Sequence, residues 1–267
     1  MLKPKKSLGQ NFLIDKNIIK KIVLLNKIKD SDILEIGPGT GNLTNEILKY
    51  KPKEIILIEK DSSLCQALKD KFKLRNDIKI LNNDILSFNI ENNINKDSFI
   101  FGNLPYNIST QILVKLIKLK VWPPKYKKLI FMFQKEVAER ILAKHNSSKY
   151  GRLSIIANWR LKVTDSFNIS KNCFYPKPKV DSKVLVFEPI VNKNYKIKDI
   201  NNLEKITQVF FSRKRKMINK GFMKLFKNSV LFSKKLKINL SYRPGEISRE
   251  HYYKITECYE KYIKSIK

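Results

Sequence analysis

The chain has 267 residues, 42% of them hydrophobic, enough for one full core and a second, smaller one. Its formal net charge of +31 points to a polyanionic partner, nucleic acid or an anionic membrane surface, although the Lys, Asn and Ile abundant throughout are also what biased base composition yields. Three scattered cysteines without a C-x-x-C pair and two histidines exclude a zinc or iron–sulfur signature and a disulfide framework, and no apolar run approaches the ~18 residues of a membrane helix.

Lys5 to Leu13 shows neither helical nor strand period and reads as an ordered arm over a site. Gly9, Gln10 and Asn11 stand where a secretory signal would place its apolar core, so a soluble, cytoplasmic protein is expected. Asp15 is placed to cap a helix whose apolar face carries Ile18, Ile22, Leu25 and Ile28.

Residues 33–36 form a short apolar strand, followed at once by Gly37-Pro38-Gly39-Thr40-Gly41 and a helix over 42–48. Residues 55–58 make a second strand closed by Glu59, and Asp61 caps a helix marked by Leu64, Leu68 and Phe72. A third strand, 78–81, ends in Asn82-Asn83-Asp84. A fourth, 98–101, runs into Gly102-Asn103-Leu104-Pro105-Tyr106-Asn107, and a helix with Ile112, Leu113, Leu116 and Ile117 follows.

Residues 129–133 are a fifth strand, before a helix over 135–143, and 160–164 and 183–187 read as two more strands around a Pro-punctuated loop. This alternation predicts an α/β fold with a mostly parallel sheet covered on both faces. After Pro189 the period is helical only, with Leu203, Ile206, Val209 and Phe210, then Ile218, Phe222, Leu225 and Phe226, and finally Tyr252, Ile255, Tyr259 and Tyr262. The expected division is therefore 1–190 and 191–267, the second part carrying 20 Lys and Arg against 6 Asp and Glu, which makes it the more basic of the two.

Four consecutive strand ends carry polar chemistry, and ligands of open α/β sheets bind at that edge. Glycines between strand and helix let a ligand approach where a Cβ would intrude. Glu59, 22 positions after Gly37, can accept hydrogen bonds from both hydroxyls of a ribose, and Asp84 can take the amino group of an adenine. Each acid read singly is more often a helix cap or a surface charge. Together they point to an adenosine-containing ligand. The spacing G-x-G-x-G behind Glu35, in place of G-x-G-x-x-G, suits one with a cationic amine and no phosphate, such as S-adenosylmethionine. Asn103-Leu104-Pro105-Tyr106 suits a planar amine gripped at its edge and stacked on its face; read alone, it is also an ordinary Pro-capped turn.

The Gly loop, Glu59, Asp84, Asn103 to Tyr106 and the arm Ser7-Leu8-Gly9-Gln10-Asn11-Phe12-Leu13 follow the order seen in the ribosomal RNA adenine N6,N6-dimethyltransferases. The bacterial small-subunit branch is resembled further at Phe131 to Glu136, Tyr150 to Ser154, Phe174 to Ser182 and Phe210 to Lys216, whereas 145–149 departs from its pattern. The resemblance implies a Rossmann-like, S-adenosylmethionine-dependent methyltransferase domain followed by a small all-helical RNA-binding domain. It implies cofactor contacts from Asn11, Leu13, Gly37, Glu59, Asp84 and Asn103. It also implies N6,N6-dimethylation of two adjacent adenosines in the 3′-terminal hairpin loop of 16S rRNA during small-subunit biogenesis, by a monomer that uses neither metal nor membrane.

In that reaction the Asn103 side-chain oxygen and the Leu104 carbonyl accept the two amine hydrogens, Pro105 fixes the backbone, and Tyr106 stacks on the base. Phe174 or Tyr175 closes the other face of the extruded base, or else packs beneath the proline turn. Arg213, Lys214, Arg215 and Lys216 contact phosphates, or else form a solvated helix face. The competing readings are a large-subunit adenine methyltransferase of the antibiotic-resistance type and a non-catalytic assembly factor on the same fold.

Overall fold

β-Branched and aromatic runs bounded by Gly, Asp and Asn become strands, and the amphipathic stretches between them become helices. The computed structural model of the chain describes residues 4–5, 9–191 and 195–266. Ser7 and Leu8 of the arm motif lie outside the described residues.

By its internal contacts the chain forms two units, 1–138 with 162–189, and 139–161 with 190–267. The seam expected at 190 is thus one of several, because 139–161 joins the helical unit.

In the first unit the elements are β1 (Phe12–Leu13), α1 (Lys16–Leu24), β2 (Asp32–Ile36), α2 (Asn42–Lys49), β3 (Glu54–Glu59), α3 (Ser62–Lys71) and β4 (Ile78–Asn82). There follow α4 (Ile90–Asn93), β5 (Ser98–Asn103), α5 (Ser109–Ile117), β6 (Tyr126–Gln134) and α6 (Lys135–Leu142), which runs on into the second unit. After α7 (Arg152–Arg160) come β7 (Leu161–Ile169), β8 (Phe174–Tyr175) and β9 (Ser182–Pro189).

The main sheet has seven strands in the order β4-β3-β2-β5-β6-β9-β7. Pairs β3–β4, β2–β3, β2–β5 and β5–β6 are parallel, while β9 lies antiparallel to β6. The order runs outward from β2 through β3 to β4 on one side and restarts at β5 on the other, which makes a switch point between β2 and β5. The register sets Ile36 opposite both Ile58 and Gly102, and Glu59 opposite Asn82, so the chain leaves all four strands at one edge.

Local signals fix the helix starts. The Asp15 carboxylate accepts from the Asn17 and Ile18 amides at the head of α1, and Asp61 accepts from the Ser63 amide at the head of α3. Helix α1 stops at Leu24, short of Ile28, which is buried in the following turn and hydrogen-bonded through its carbonyl to the Ser31 amide. Its burial, not helical continuation, accounts for its apolar character.

The second unit adds α8 (Ile200–Phe211), α9 (Asn219–Leu225), α10 (Ser229–Leu236) and α11 (Arg249–Ser265). Its core is aromatic: Phe210 stacks on Phe222, Phe211 on Tyr252 and Phe226 on Phe232. The buried Glu260 of α11 accepts the Lys198 and Asp199 amides just before α8, so one carboxylate holds two helices together. Helix α7 is an element the sequence pattern missed, because its buried residues run almost continuously instead of tracing one face. No helix among the described residues is long and apolar enough to cross a membrane.

Candidate functional site

A cleft of about 170 Å³ opens at the switch point. Its walls come from the arm (Gly9 to Phe12), the Gly loop (Gly37, Gly39), the β3 end (Ile58 to Lys60), the β4 end (Asn83 to Ile85) and Asn103 to Ile108. The sequence-expected Asn11, Gly37, Glu59, Asp84, Asn103, Leu104, Pro105 and Tyr106 all line it.

Gly39 is required there twice over. Its φ of +57° lies in the left-handed region, and a Cβ would stand 2.8 Å from the Phe12 ring, which packs over the loop. The glycine thus serves the seating of the arm.

Glu59 is buried, and both its oxygens are held by backbone amides: Oε2 by Gly39 at 3.2 Å and Oε1 by Asp61 at 2.9 Å. Burial raises its pKa, and the Asp61 and Gly39 amides partly oppose that rise. Each oxygen keeps lone pairs, so the group remains an acceptor for a diol. Behind it, Glu35 on β2 is 2% exposed and accepts from Thr44 Oγ1 at 2.7 Å. Burial first, then the nearby Glu59 charge, pushes its pKa up to about 7 against the opposing Thr44 hydrogen bond.

Asp84 sits differently. Lys60 Nζ meets Oδ2 at 2.8 Å and the Leu86 amide meets Oδ1 at 2.9 Å, and these hold its pKa below the usual carboxylate value. It can serve a ligand amine only by sharing Oδ2 with Lys60 or through its remaining lone pairs.

Asn103 donates from Nδ2 to the Asn11 carbonyl at 2.7 Å. That fixes the amide's sense and leaves Oδ1 as the acceptor for an incoming N–H. The Tyr106 hydroxyl hydrogen-bonds Ser182 Oγ at 2.6 Å, which anchors the ring from β9. The Leu104 side chain is 1% exposed and lies where a Gly102 Cβ would stand, with Cδ2 2.6 Å from that position. Leu104 therefore has a packing role besides its carbonyl, and Gly102, to which the sequence reading gave no role, leaves the space that its side chain fills.

The structure sets three of the expected groups in surroundings that the sequence does not show. Leu13 is buried among the core residues, does not line the cleft, and gives its carbonyl to Asn42 Nδ2. Phe174 is 3% exposed in the same core, opposite Leu13 on the β1–β8 ladder, so it has no free face for a base. Tyr175, 56% exposed and opposite Phe12, keeps one. Arg213 to Lys216 lie in the turn between α8 and α9, not on a helix; all four are exposed, and Lys214 Nζ donates to the Ser148 carbonyl at 2.7 Å.

Gln10 and Asn107, which stand in the quoted stretches with no role given, also line the cleft, as does Ile85, the neighbour of Asp84 outside every motif. The arrangement offers an apolar slot between Ile36, Ile58 and Ile85, a rigid buried carboxylate, and an amide-and-carbonyl edge beside an aromatic ring. Those parts suit a nucleoside and a second planar amine.

Comparison with known proteins agrees with that chemistry. The profile of the family described as "Ribosomal RNA adenine dimethylase" matches residues 1–261. A Pelagibacter ubique protein named ribosomal RNA small subunit methyltransferase A is 47% identical, across 97% of this chain and 98% of its own. A protein of the same name from Wolbachia pipientis is 37% identical over 94% and 95%. The crystal structure of a dimethyladenosine transferase from Plasmodium falciparum aligns with a TM-score of 0.77 at 28% identity, covering 95% of this chain and 98% of that one. That of the 23S rRNA methyltransferase ErmE aligns at 0.68 and 19% identity, over 93% and 99%, a likeness of fold.

Proposed function

Since this chain belongs to the ribosomal RNA adenine dimethylase family, we propose that it dimethylates N6 of two adjacent adenosines in the 3′-terminal hairpin loop of small-subunit rRNA, using S-adenosylmethionine. The observation that carries the reading is the Asn103 amide: tied at Nδ2 to the arm, it presents Oδ1 beside a cleft whose other end holds a buried carboxylate.

The residues fit that cofactor. Glu59, held by two backbone amides, would accept the ribose hydroxyls, and Asp84, Ile58 and Ile85 would bound the adenine. Gly37 leaves open backbone beside the Asn103 carbonyl, 4.0 Å from where its Cβ would lie. When bound, S-adenosylmethionine supplies a methyl group activated by its sulfonium charge.

The chain's own contribution is positioning and electrostatics. The lone pair of an adenine amine is delocalised into the ring, which makes it a poor nucleophile. Asn103 Oδ1 and the Leu104 carbonyl accept its two hydrogens and favour tetrahedral geometry, which localises the lone pair. The Tyr106 ring, anchored through Ser182, stacks on the base, a contact of ~1–3 kcal/mol. No general base is needed before transfer. The second methylation uses one acceptor for the one remaining hydrogen. The exposed Arg213 to Lys216 turn supplies phosphate contacts, and with them salt-dependent binding.

Mass spectrometry of small-subunit rRNA from cells with and without the gene tests the reading. Loss of dimethyladenosine near the 3′ end on deletion is expected, and unchanged RNA would overturn it. In vitro, Asn103→Ala should abolish methylation while the variant still binds S-adenosylmethionine.

A further inference from the structure

The arm is tied across the cleft at two places. At one end Asn103 Nδ2 holds the Asn11 carbonyl. At the other, Asp61 holds two arm side chains at once: Oδ1 accepts from Lys5 Nζ at 2.9 Å and Oδ2 from Gln10 Nε2 at 3.1 Å. Gln10 also accepts the Lys5 amide through its own Oε1 at 2.7 Å, so Lys5, Gln10 and Asp61 close a ring of hydrogen bonds.

Asp61 faces inward as well. Its amide donates to Glu59 Oε1, and its Oδ1 also caps α3 through the Ser63 amide. The residue is 4% exposed, so its carboxylate cannot be explained as a surface charge. Burial alone would raise its pKa; the Lys5, Gln10 and Ser63 hydrogen bonds outweigh that and lower it. A helix cap needs only the Ser63 bond. The two arm donors are additional, and the tied arm residues Gln10 and Asn11 are walls of the cleft.

We infer that Asp61 is a positioning residue that latches the arm over the cofactor cleft through Lys5 and Gln10, and that release of this latch sets how fast the cofactor product leaves between successive methyl transfers. The inference rests on the reading above that S-adenosylmethionine occupies the cleft. Dimethylating two adenosines consumes one cofactor molecule for each methyl group, so a closed arm must open repeatedly. The latch suits that demand. Its Lys5 side chain is 48% exposed and its ion pair is screened by water, whereas the Glu59 and Asn103 contacts deeper in stay in place.

The test compares full-length wild type with Lys5→Met and Asp61→Asn; asparagine keeps a good helix-capping oxygen. In cofactor-free protein, hydrogen exchange of the amides at 9–13 should quicken in both variants while exchange in β2 stays unchanged. Dissociation of S-adenosylhomocysteine, followed by stopped flow, should speed up about two- to fivefold in Lys5→Met, the range for an exposed ion pair. In Asp61→Asn, which weakens charged hydrogen bonds, it should speed up about tenfold. The double variant should not exceed Asp61→Asn, since both changes break one interaction.

Unchanged arm exchange in both single variants would overturn the latch, as would faster exchange with unaltered dissociation. If wild type itself bound neither S-adenosylmethionine nor its product, the cofactor reading would fall and with it the proposed role in turnover. The exchange data would then still report whether Asp61 holds the arm.

Discussion

Three strand ends of the same sheet each present an acidic residue, yet the two inner ones and the outer one are held in opposite ways. At the ends of β2 and β3, Glu35 and Glu59 are buried, lack a salt-bridging cation among the described residues, and have raised pKa values. Beyond β4, the edge strand, the Asp84 side chain is 31% exposed, is paired with Lys60, and has a lowered pKa. Sheet position explains the difference: inner strands are covered on both faces, which removes water and leaves only hydroxyl and amide dipoles as partners, whereas the edge admits a lysine. The inner carboxylates are therefore fixed acceptors. The outer one is an adjustable charge.

The sharpest way to break this contrast is at Glu59. In Glu59→Gln one of the two amide-facing positions becomes an NH₂ group, which leaves the Gly39 or Asp61 N–H without an acceptor. Affinity for S-adenosylmethionine, by isothermal titration, should fall about 10- to 100-fold, the range for losing charged hydrogen bonds. Wild-type affinity in that variant would remove Glu59 from the cofactor site.

Leu104→Ala probes the packing beside the same edge. Truncating a fully buried leucine that fills the space over Gly102 should cost about 2–4 kcal/mol of stability in urea unfolding. Asn103→Ala should cost only about 1 kcal/mol of stability while losing activity entirely. Equal stability losses would show that Leu104 acts through its carbonyl alone.

The pH response separates inner from outer carboxylates. Folding raises Glu35 from 4.5 to about 7, so between those values the native chain binds more protons than the unfolded one. Its contribution must therefore diminish as pH rises through that window, by an amount on the order of 2–3 kcal/mol. Asp84, with a lowered pKa, acts in the opposite sense, and only as pH falls below the ordinary carboxylate range. Urea unfolding at pH 5 and 7.5 should show Glu35→Gln losing less stability over the interval than wild type does; parallel behaviour would refute the assignment.

The smallest effect is expected at the edge. Asp84→Asn removes one exposed ion pair and keeps an acceptor, so S-adenosylmethionine affinity should drop no more than about fivefold. A loss equal to that of Glu59→Gln would erase the distinction between inner and outer strand ends.

The sequence by itself determined most of the sheet and helix elements of the first unit and most of the cleft. Runs such as Ile55 to Ile58 and Ser98 to Phe101 are strands because their β-branched and aromatic side chains fit a buried pleat, and the polar residue after each run falls at the ligand edge of the sheet. These signals are local in the chain, so they survive without any knowledge of what packs where. What only the tertiary structure decided were partners far apart in sequence. Phe12 over Gly39, Phe174 opposite Leu13, and Lys5 and Gln10 on Asp61 each depend on surfaces that exist only once the sheet and arm have assembled. An aromatic before a proline reads alike whether its face is free or buried. Phe174 is buried and Tyr175 exposed because adjacent residues of a strand point to opposite sides, and the β1–β8 ladder, formed with a segment about 160 residues away, chooses which side is core.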